Sequence, residues 1–331
     1  MKNQFIRTLS LGDTVDDIFV VTRITLGFHD RGDYLRLRLA DSSGKISGVM
    51  WSGAAKASQA IQNGDLARVE GRVECYRGEL QLKVGYLSRV ELDSDIDPTD
   101  FLPKSRFSPE KLRERLTQIV GEVRDEFCRR ILEALLADEE LMDGFSRAPG
   151  GKAWHHAHIG GLLEHTLCVT SLCRTIAPFY PQVNVDLLVT GAVFHDLGKT
   201  AELRYDIALD YTTKGRLVGH VVMGDELLRR CASRVEGFPD ETLMYLRHII
   251  ISHHGEIDRS PVAPMTLEAC LLHYVDNMDA QMTAIIREME KGIDAGREWT
   301  DYITLLGRSL YAGSLMDHRR PETERDEDSP D

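Results

Sequence analysis

Residues 191–199 read GAVFHDLGK and follow the apolar run Leu187, Leu188, Val189. His195 and Asp196 therefore close a segment that is apolar on every side, the pattern of a buried helix. A carboxylate in such a place is costly without a cation. Adjacent helical residues diverge by about 100°, so His195 can serve one cation while Asp196 reaches between two. Lys199 stands four residues beyond His195, on the same helical face, and is placed to hold a phosphate oxygen.

Outward from this stretch, four more places carry metal-type side chains: His165 in GGLLEHT, His220 in LVGH, His253 and His254 in ISHHGE, and Asp276 in HYVDNMDA. Taken singly each is weak, because a lone histidine in an apolar helix is usually a hydrogen-bonded core residue. Taken together they form an imidazole and carboxylate set without thiolates. Such a set suits Mn, Fe, Co, Ni or Zn better than Mg. Two such ions about 3.5–4 Å apart can clamp a phosphoryl group. His155, His156 and His158 precede Gly160-Gly161 at a predicted helix start, where backbone can approach phosphate closely. His156 is the candidate substrate contact there, and a polar surface loop is the plain alternative. Asp279 lies three residues beyond Asp276 on the same face, able to orient a ligand or cap a neighbouring helix.

The surrounding half is predicted helical. Ser108-Pro109 forms an N-cap with proline at the first helical position. Leu112, Leu116, Ile119, Val123, Phe127, Ile131 and Leu135 recur at helical spacing. Further helices are expected near 160–178, 184–198, 215–235, 240–254 and 264–290, with helical structure continuing to about residue 316.

The first 90 residues read differently. YLRLRLA (34–40) alternates strictly, and DDIFVVTRITLGF (16–28), KISGVMW (45–51), LARVEGRVECY (66–76) and ELQLKVGYLSRV (79–90) are β-rich with turn residues between them. A short helical stretch, AAKASQAIQ (54–62), separates the third strand from the fourth. Three strands, a helix and two strands is the order of an OB-fold, a five-stranded Greek-key barrel; another small barrel of the same count is the alternative. Phe28, Tyr34, Trp51, Tyr76 and Tyr86 are candidates for stacking on bases, and Arg36, Arg38, Arg72 and Lys83 for holding phosphates, the two features that single-strand binders combine. Core or rim packing is the competing role for those aromatics. The expected organisation is a multidomain chain: an all-β barrel domain over 1–90, a linker over 91–108 with two prolines, an all-α helical bundle over 109–316, and an acidic, disordered tail over 317–331.

Net charge is −13 over 331 residues, but residues 1–90 carry 13 Lys/Arg against 10 Asp/Glu, so the excess acidity lies beyond them. That balance argues against a chain coated in basic contacts. No apolar run approaches the roughly 20 residues needed to cross a bilayer, and the N-terminus lacks the apolar core of a secretion signal. Six scattered cysteines without a CxxC pair fit reduced thiols in the cytoplasm.

The order H…HD…H…H…D, with HDLGK among its most specific strings, resembles the HD superfamily. WHHAHIGGLLEHTL, GAVFHDLGK, GHVVMGDELL, ISHHGE and LHYVDNMDAQM, downstream of an OB-like barrel, resemble the YhaM family of bacterial 3′→5′ exoribonucleases over residues 5–315. The resemblance implies a dinuclear site: one ion on His165, His195, Asp196 and Asp276, the other on Asp196, His220 and His253, with Asp196 bridging and His254 either the alternative to His253 or a substrate contact. It implies hydrolysis of single-stranded RNA, or DNA, from the 3′ end to nucleoside 5′-monophosphates, with manganese as the first expectation among Mn, Fe, Co, Ni and Zn and a homo-oligomer as a compatible state. Three other readings compete. One is an HD phosphohydrolase of a small nucleotide or cyclic dinucleotide, although GEIDRSP replaces the GYP signature of the cyclic-di-GMP branch. Another is a non-enzymatic single-strand or DNA-binding protein. The third is a diiron oxygenase, disfavoured by the barrel and Lys199.

Overall fold

The computed structural model describes residues 2–30, 32–91, 96–152, 154–205, 209–255, 260–294, 296–313 and 315. The expected acidic tail lies outside them. Five strands, β1 (Thr14–His29), β2 (Gly32–Asp41), β3 (Gly44–Met50), β4 (Leu66–Tyr76) and β5 (Glu79–Val90), close a barrel in the order β1-β2-β3-β5-β4, with helix α1 (Ala54–Ala60) between β3 and β4. All pairs are antiparallel except β3 with β5. This is the five-stranded OB barrel expected from the alternation. Leu35, Leu37 and Leu39 point into the core with Val15, Phe19, Val69 and Leu82, while Arg36 and Arg38 point outward, as strand periodicity requires. Gly71 marks a bulge in β4, where a Cβ would lie 2.4 Å from the carbonyl oxygen of Lys83.

Ten α-helices follow among the described residues: α2 (Pro109–Gly121), α3 (Glu126–Leu136), α4 (Glu139–Arg147), α5 (Gly161–Ile176), α6 (Val185–Phe194), α7 (Lys199–Glu202), α8 (Thr213–Val218), α9 (His220–Ala232), α10 (Asp240–Ser252) and α11 (Leu267–Asp294). Ser108 caps α2 and accepts from the Lys111 amide, with Pro109 at the first position. The apolar run 112–135 is two helices, because Asp125 starts a second one by accepting from the Cys128 amide at 2.8 Å. Helices α5 and α6 are central. Leu162, Leu163, Val193 and Phe194 face one apolar cluster with α2, α3 and α4, while Val169, Cys173, Leu188 and Ala192 face another with α10 and α11. An all-round apolar helix such as α6 belongs in that place.

Two expectations need correction. The chain from 203 onward is not continuously helical: β6 (Leu203–Arg204) and β7 (Asp210–Tyr211) form a two-stranded ribbon, and beyond α11 the backbone makes isolated bridges, Trp299 to Tyr311 and Ile303 to Arg308. The described part of the linker is also structured. Phe101 is buried against Val20 and Leu66 of the barrel, and the Ser42 amide donates to the Asp100 carbonyl at 2.9 Å. On the other side the Ser105 and Ile159 amides pair with Ile159 and Pro103 carbonyls at 2.8 Å. Tied to both, this segment sets the barrel against the helices.

Candidate metal centre

Five segments converge at one end of α6. Helix α5 supplies His165, the turn after α6 supplies His195 and Asp196, α9 begins with His220, the end of α10 leads into His253 and His254, and α11 supplies Asp276 and Asp279. Glycines set the approach distances. A Cβ on Gly191 would lie 2.5 Å from Ile249 of α10, and one on Gly198 would lie 2.0 Å from the His220 carbonyl oxygen. Gly198 therefore lets the His195–Gly198 turn pack directly on the start of α9. Gly161 does the same for the turn holding His156, whose carbonyl oxygen would be 2.1 Å from an added Cβ.

The ligand atoms fall into two sets around Asp196. In the first, His165 Nε2 lies 3.1 Å from Asp276 Oδ1, 3.3 Å from His195 Nε2 and 3.5 Å from Asp196 Oδ2. In the second, the other oxygen, Asp196 Oδ1, lies 3.5 Å from His220 Nε2 and 3.6 Å from His253 Nε2, and His220 Nε2 is 3.0 Å from His254 Nε2. His165, His195, Asp196 and Asp276 are buried, and so is His253. Within each set, {His165, His195, Asp196, Asp276} and {His220, His253, His254}, the candidate ligand atoms lie within 4.8 Å of one another. His253 and His254 both lie in the second set.

The far side of each ring fixes its tautomer. His195 Nδ1 and His253 Nδ1 lie 2.7 and 2.6 Å from the carbonyl oxygens of Ala192 and Ile250. A carbonyl only accepts, so both rings carry the proton on Nδ1 and turn the Nε2 lone pair inward. His165 Nδ1 is 2.7 Å from Asp279 Oδ2 and His220 Nδ1 is 3.0 Å from Glu202 Oε1, carboxylates that act alike. Four lone pairs thus converge beside two carboxylates. Asp196 Oδ1 and His253 Nε2 are buried with no hydrogen-bond partner, an arrangement that a cation would satisfy. Burial opposes a second proton on His165 and His195, yet the adjacent carboxylates favour it, raising His165 well above its usual range and His195 to about 9; a bound cation would take that proton's place on Nε2. Asp196, opposed by burial and favoured by Lys199 and His195, stays well below the carboxylate range. The pocket demands positive charge, and its donors fit a divalent ion.

Residues 162–281 match the HD domain family and residues 20–90 the OB-fold nucleic acid binding domain family. The 3'-5' exoribonuclease YhaM of Geobacillus sp. (strain WCH70) is 32% identical over 91% of this chain and 92% of its own length. The chain belongs to the YhaM family. The Bacillus subtilis (strain 168) member is 31% identical over 91% of this chain and 95% of its own. The barrel is also similar to the second OB-fold domain of replication protein A from Methanococcus maripaludis, with TM-score 0.24 and 23% identity over 28% of this chain and 97% of that one.

In this YhaM-family chain Lys199 departs from the expectation. His195–Gly198 is a turn rather than helix, so Lys199 does not share a helical face with His195. Its Nζ donates to Asp196 Oδ2 at 2.6 Å and to the Gly150 carbonyl at 2.8 Å. The Asp196 carboxylate is thereby paired, as its burial requires. His156 is buried, sits at φ 42°, and its Nε2 lies 3.0 Å from Asp279 Oδ2. Asp279 therefore accepts from His165 and His156 and fixes the His165 ring, so of its two expected roles it takes the orienting one. His158 pairs with Glu164 at 3.0 Å.

Three residues of the site were not singled out by motif. Glu202 fixes His220 from six residues beyond the HD pair. Trp154 and Tyr211 line a cavity of about 430 Å³ with Lys152, His155, Lys199 and His220. His155 was noted without a role. Both its ring nitrogens are buried and partnerless, and burial with nearby Lys199 and His165 lowers its pKa to about 3, a neutral imidazole.

On the barrel, Tyr34 stacks on Trp51 with centroids 4.9 Å apart, and Arg36 Nη2 donates to the Tyr34 hydroxyl at 2.8 Å. Trp51, Tyr76, Tyr86 and Phe28 are exposed rather than core. Arg38 reaches Ser47, Arg72 reaches the Gly12 carbonyl and Lys83 pairs with Glu74. Among the described residues no helix is long and apolar enough to cross a membrane.

Proposed function

We propose that the chain is a metal-dependent 3′→5′ exonuclease that hydrolyses single-stranded RNA, or DNA, to nucleoside 5′-monophosphates. The observation that carries this is the convergence of inward-facing Nε2 atoms on the two oxygens of one carboxylate, Asp196. His165, His195, Asp196 and Asp276 would hold one ion, and Asp196, His220, His253 and His254 a second. Manganese is the ion assigned, with Fe, Co, Ni and Zn fitting the same donors. When bound, two such ions supply Lewis acidity to the phosphoryl group and ease ionisation of the attacking water.

The chain's own residues do the rest. Lys199 keeps Asp196 ionised and aimed, and has donor capacity left for a phosphoryl oxygen. His155, neutral and partnerless, can donate one N–H into the same cavity. Trp154 and Tyr211 offer faces for the terminal base. Water displaces the 3′ oxygen of the preceding nucleotide, leaving a monophosphate and a chain with a fresh 3′-hydroxyl. Tyr34, Trp51 and Tyr76 with Arg36 and Arg38 hold the strand upstream. The relatives named as 3'-5' exoribonucleases support this reading. The six unpaired thiols support a reducing, cytoplasmic setting.

The test is mass analysis of products from an oligonucleotide with a single-stranded 3′ end, in manganese. Nucleoside 5′-monophosphates released stepwise, and none from Asp196→Asn, are expected. Internal fragments, nucleoside 3′-monophosphates or an active Asp196→Asn would reject the reading.

A further inference from the structure

A second cavity, about 1100 Å³, lies between the barrel and the helical half. Its walls include Ala40, Gly44 and Lys45 from the barrel, Lys152 and Arg204 from the helical half, and Arg287 and Lys291 from α11. Cations from both halves line it although the chain as a whole is strongly acidic, so composition alone does not place them there.

Arg287 and Lys291 pair with Glu288 at 3.0 and 2.7 Å. At the barrel end, Lys45 has no carboxylate partner among the described residues. Its amine is held below the usual range by partial burial and by the charges of Lys291, Arg38 and Arg287. At the other end, one carboxylate, Asp210, takes three cations: Lys152 at 2.7 Å, Arg216 at 3.2 Å and Arg204 at 3.7 Å. The other carboxylates of the wall are occupied elsewhere, Asp41 by Lys2 and Asp65 by Arg89. Holding like charges together is unfavourable unless an anion completes the set.

The cavity also joins the two places already described. Ala40 pairs with Lys45 across β2 and β3, and Arg38 with Ser47. Tyr34, Arg36 and Arg38 lie on the outer face of β2, which leads toward Lys45 over about 20 Å at the rise of a strand. At the far end, the β6–β7 ribbon partitions the two cavities. Leu203 and Tyr211 line the small one and Arg204 and Asp210 the large one, as alternation predicts, and Lys152 lines both.

We infer that this cleft is the track of the single-stranded RNA backbone, with Lys45, Arg204 and Lys152 gripping successive phosphates between the Tyr34–Trp51 stack and the metal centre. The inference rests on the exonuclease reading for the ligand's identity, but it can fail separately.

The experiment measures binding of a fluorescent, hydrolysis-resistant phosphorothioate single-stranded RNA of about 20 nucleotides by anisotropy on the full chain as purified, against a dinucleotide-length competitor. For the folded double variant Lys45→Ala/Arg204→Ala, checked by melting, affinity for the long RNA should fall about tenfold relative to the short one. The slope of log affinity against log salt should flatten by about 1.4, as expected for two lost contacts to a single strand. Lys45→Arg/Arg204→Lys should restore both. A wild-type slope in the alanine variant, an equal loss for short and long RNA, or the same loss from Lys111→Glu on the outer face of α2 would overturn the track. A wild-type chain that binds RNA through these residues but never hydrolyses it would defeat the exonuclease reading and leave the track standing.

Discussion

The barrel and the helical half distribute charge in opposite ways. In the barrel, apolar side chains fill the core, the few buried charges, Lys2, Asp17 and Asp41, pair with one another, and the arginines and exposed aromatics lie outside. In the helical half, the interior itself holds histidines and carboxylates at or near full burial. The barrel core is complete as built, and its outer residues can change with little effect on the fold. The helical interior gathers polar groups that fit a divalent ion, so in the proposed site metal, stability and chemistry would be coupled.

The largest test of that contrast is Asp196→Asn. It removes the carboxylate facing both imidazole sets and leaves buried Lys199 without its ion pair. Activity should fall to the background of the product assay, a loss of at least about 10³-fold, the scale of losing a major electrostatic contact, bound metal by mass spectrometry should drop, and RNA binding by the barrel should persist. Next, Asp279→Asn disturbs the ring orientation of His165, together with the His156 contact, and removes no proposed ligand. Metal affinity should fall about 10–100-fold in a competitive chelator titration, with ligand count unchanged.

The backbone offers a finer comparison. Gly198→Ala meets the His220 carbonyl, whereas Gly85→Ala in β5 meets nothing closer than 3.8 Å. The first should cost about 1–3 kcal/mol in denaturant unfolding and weaken metal binding, and the second should stay within about 0.5 kcal/mol. At the small end, Trp51→Ala should weaken RNA binding by about 1–3 kcal/mol for one lost stack while metal content stays at the wild-type level. If Trp51→Ala instead stripped the metal, the two halves would not be separable in the way described.

Much of this was legible in sequence because periodicity and buried charge are local signals. Strict alternation in 34–40 announced the outer arginines of β2, and an aspartate closing an apolar helix announced a buried carboxylate in need of charged partners, of which Lys199 is one. Asp279 was visible by its spacing from Asp276. What escaped reading depends on contacts distant in sequence. Glu202 meets His220 only because Gly198 and Gly215 let three segments touch, and an added Cβ on Gly215 would lie 2.2 Å from the Glu202 carbonyl. Lys199 was placed by helical spacing, but the helix ends at Phe194, and the turn redirects the amine to Asp196. The 91–108 stretch lacks periodicity, so nothing local marks Phe101 as a core residue of the barrel.

The central claim is that Asp196 stands between two cations. Anomalous diffraction from crystals soaked in manganese measures this directly. Two peaks should appear, one beside Asp196 Oδ2 among His165, His195 and Asp276, the other beside Oδ1 among His220, His253 and His254. A single peak distant from Asp196, or none with the four imidazoles in their present orientation, would contradict the account.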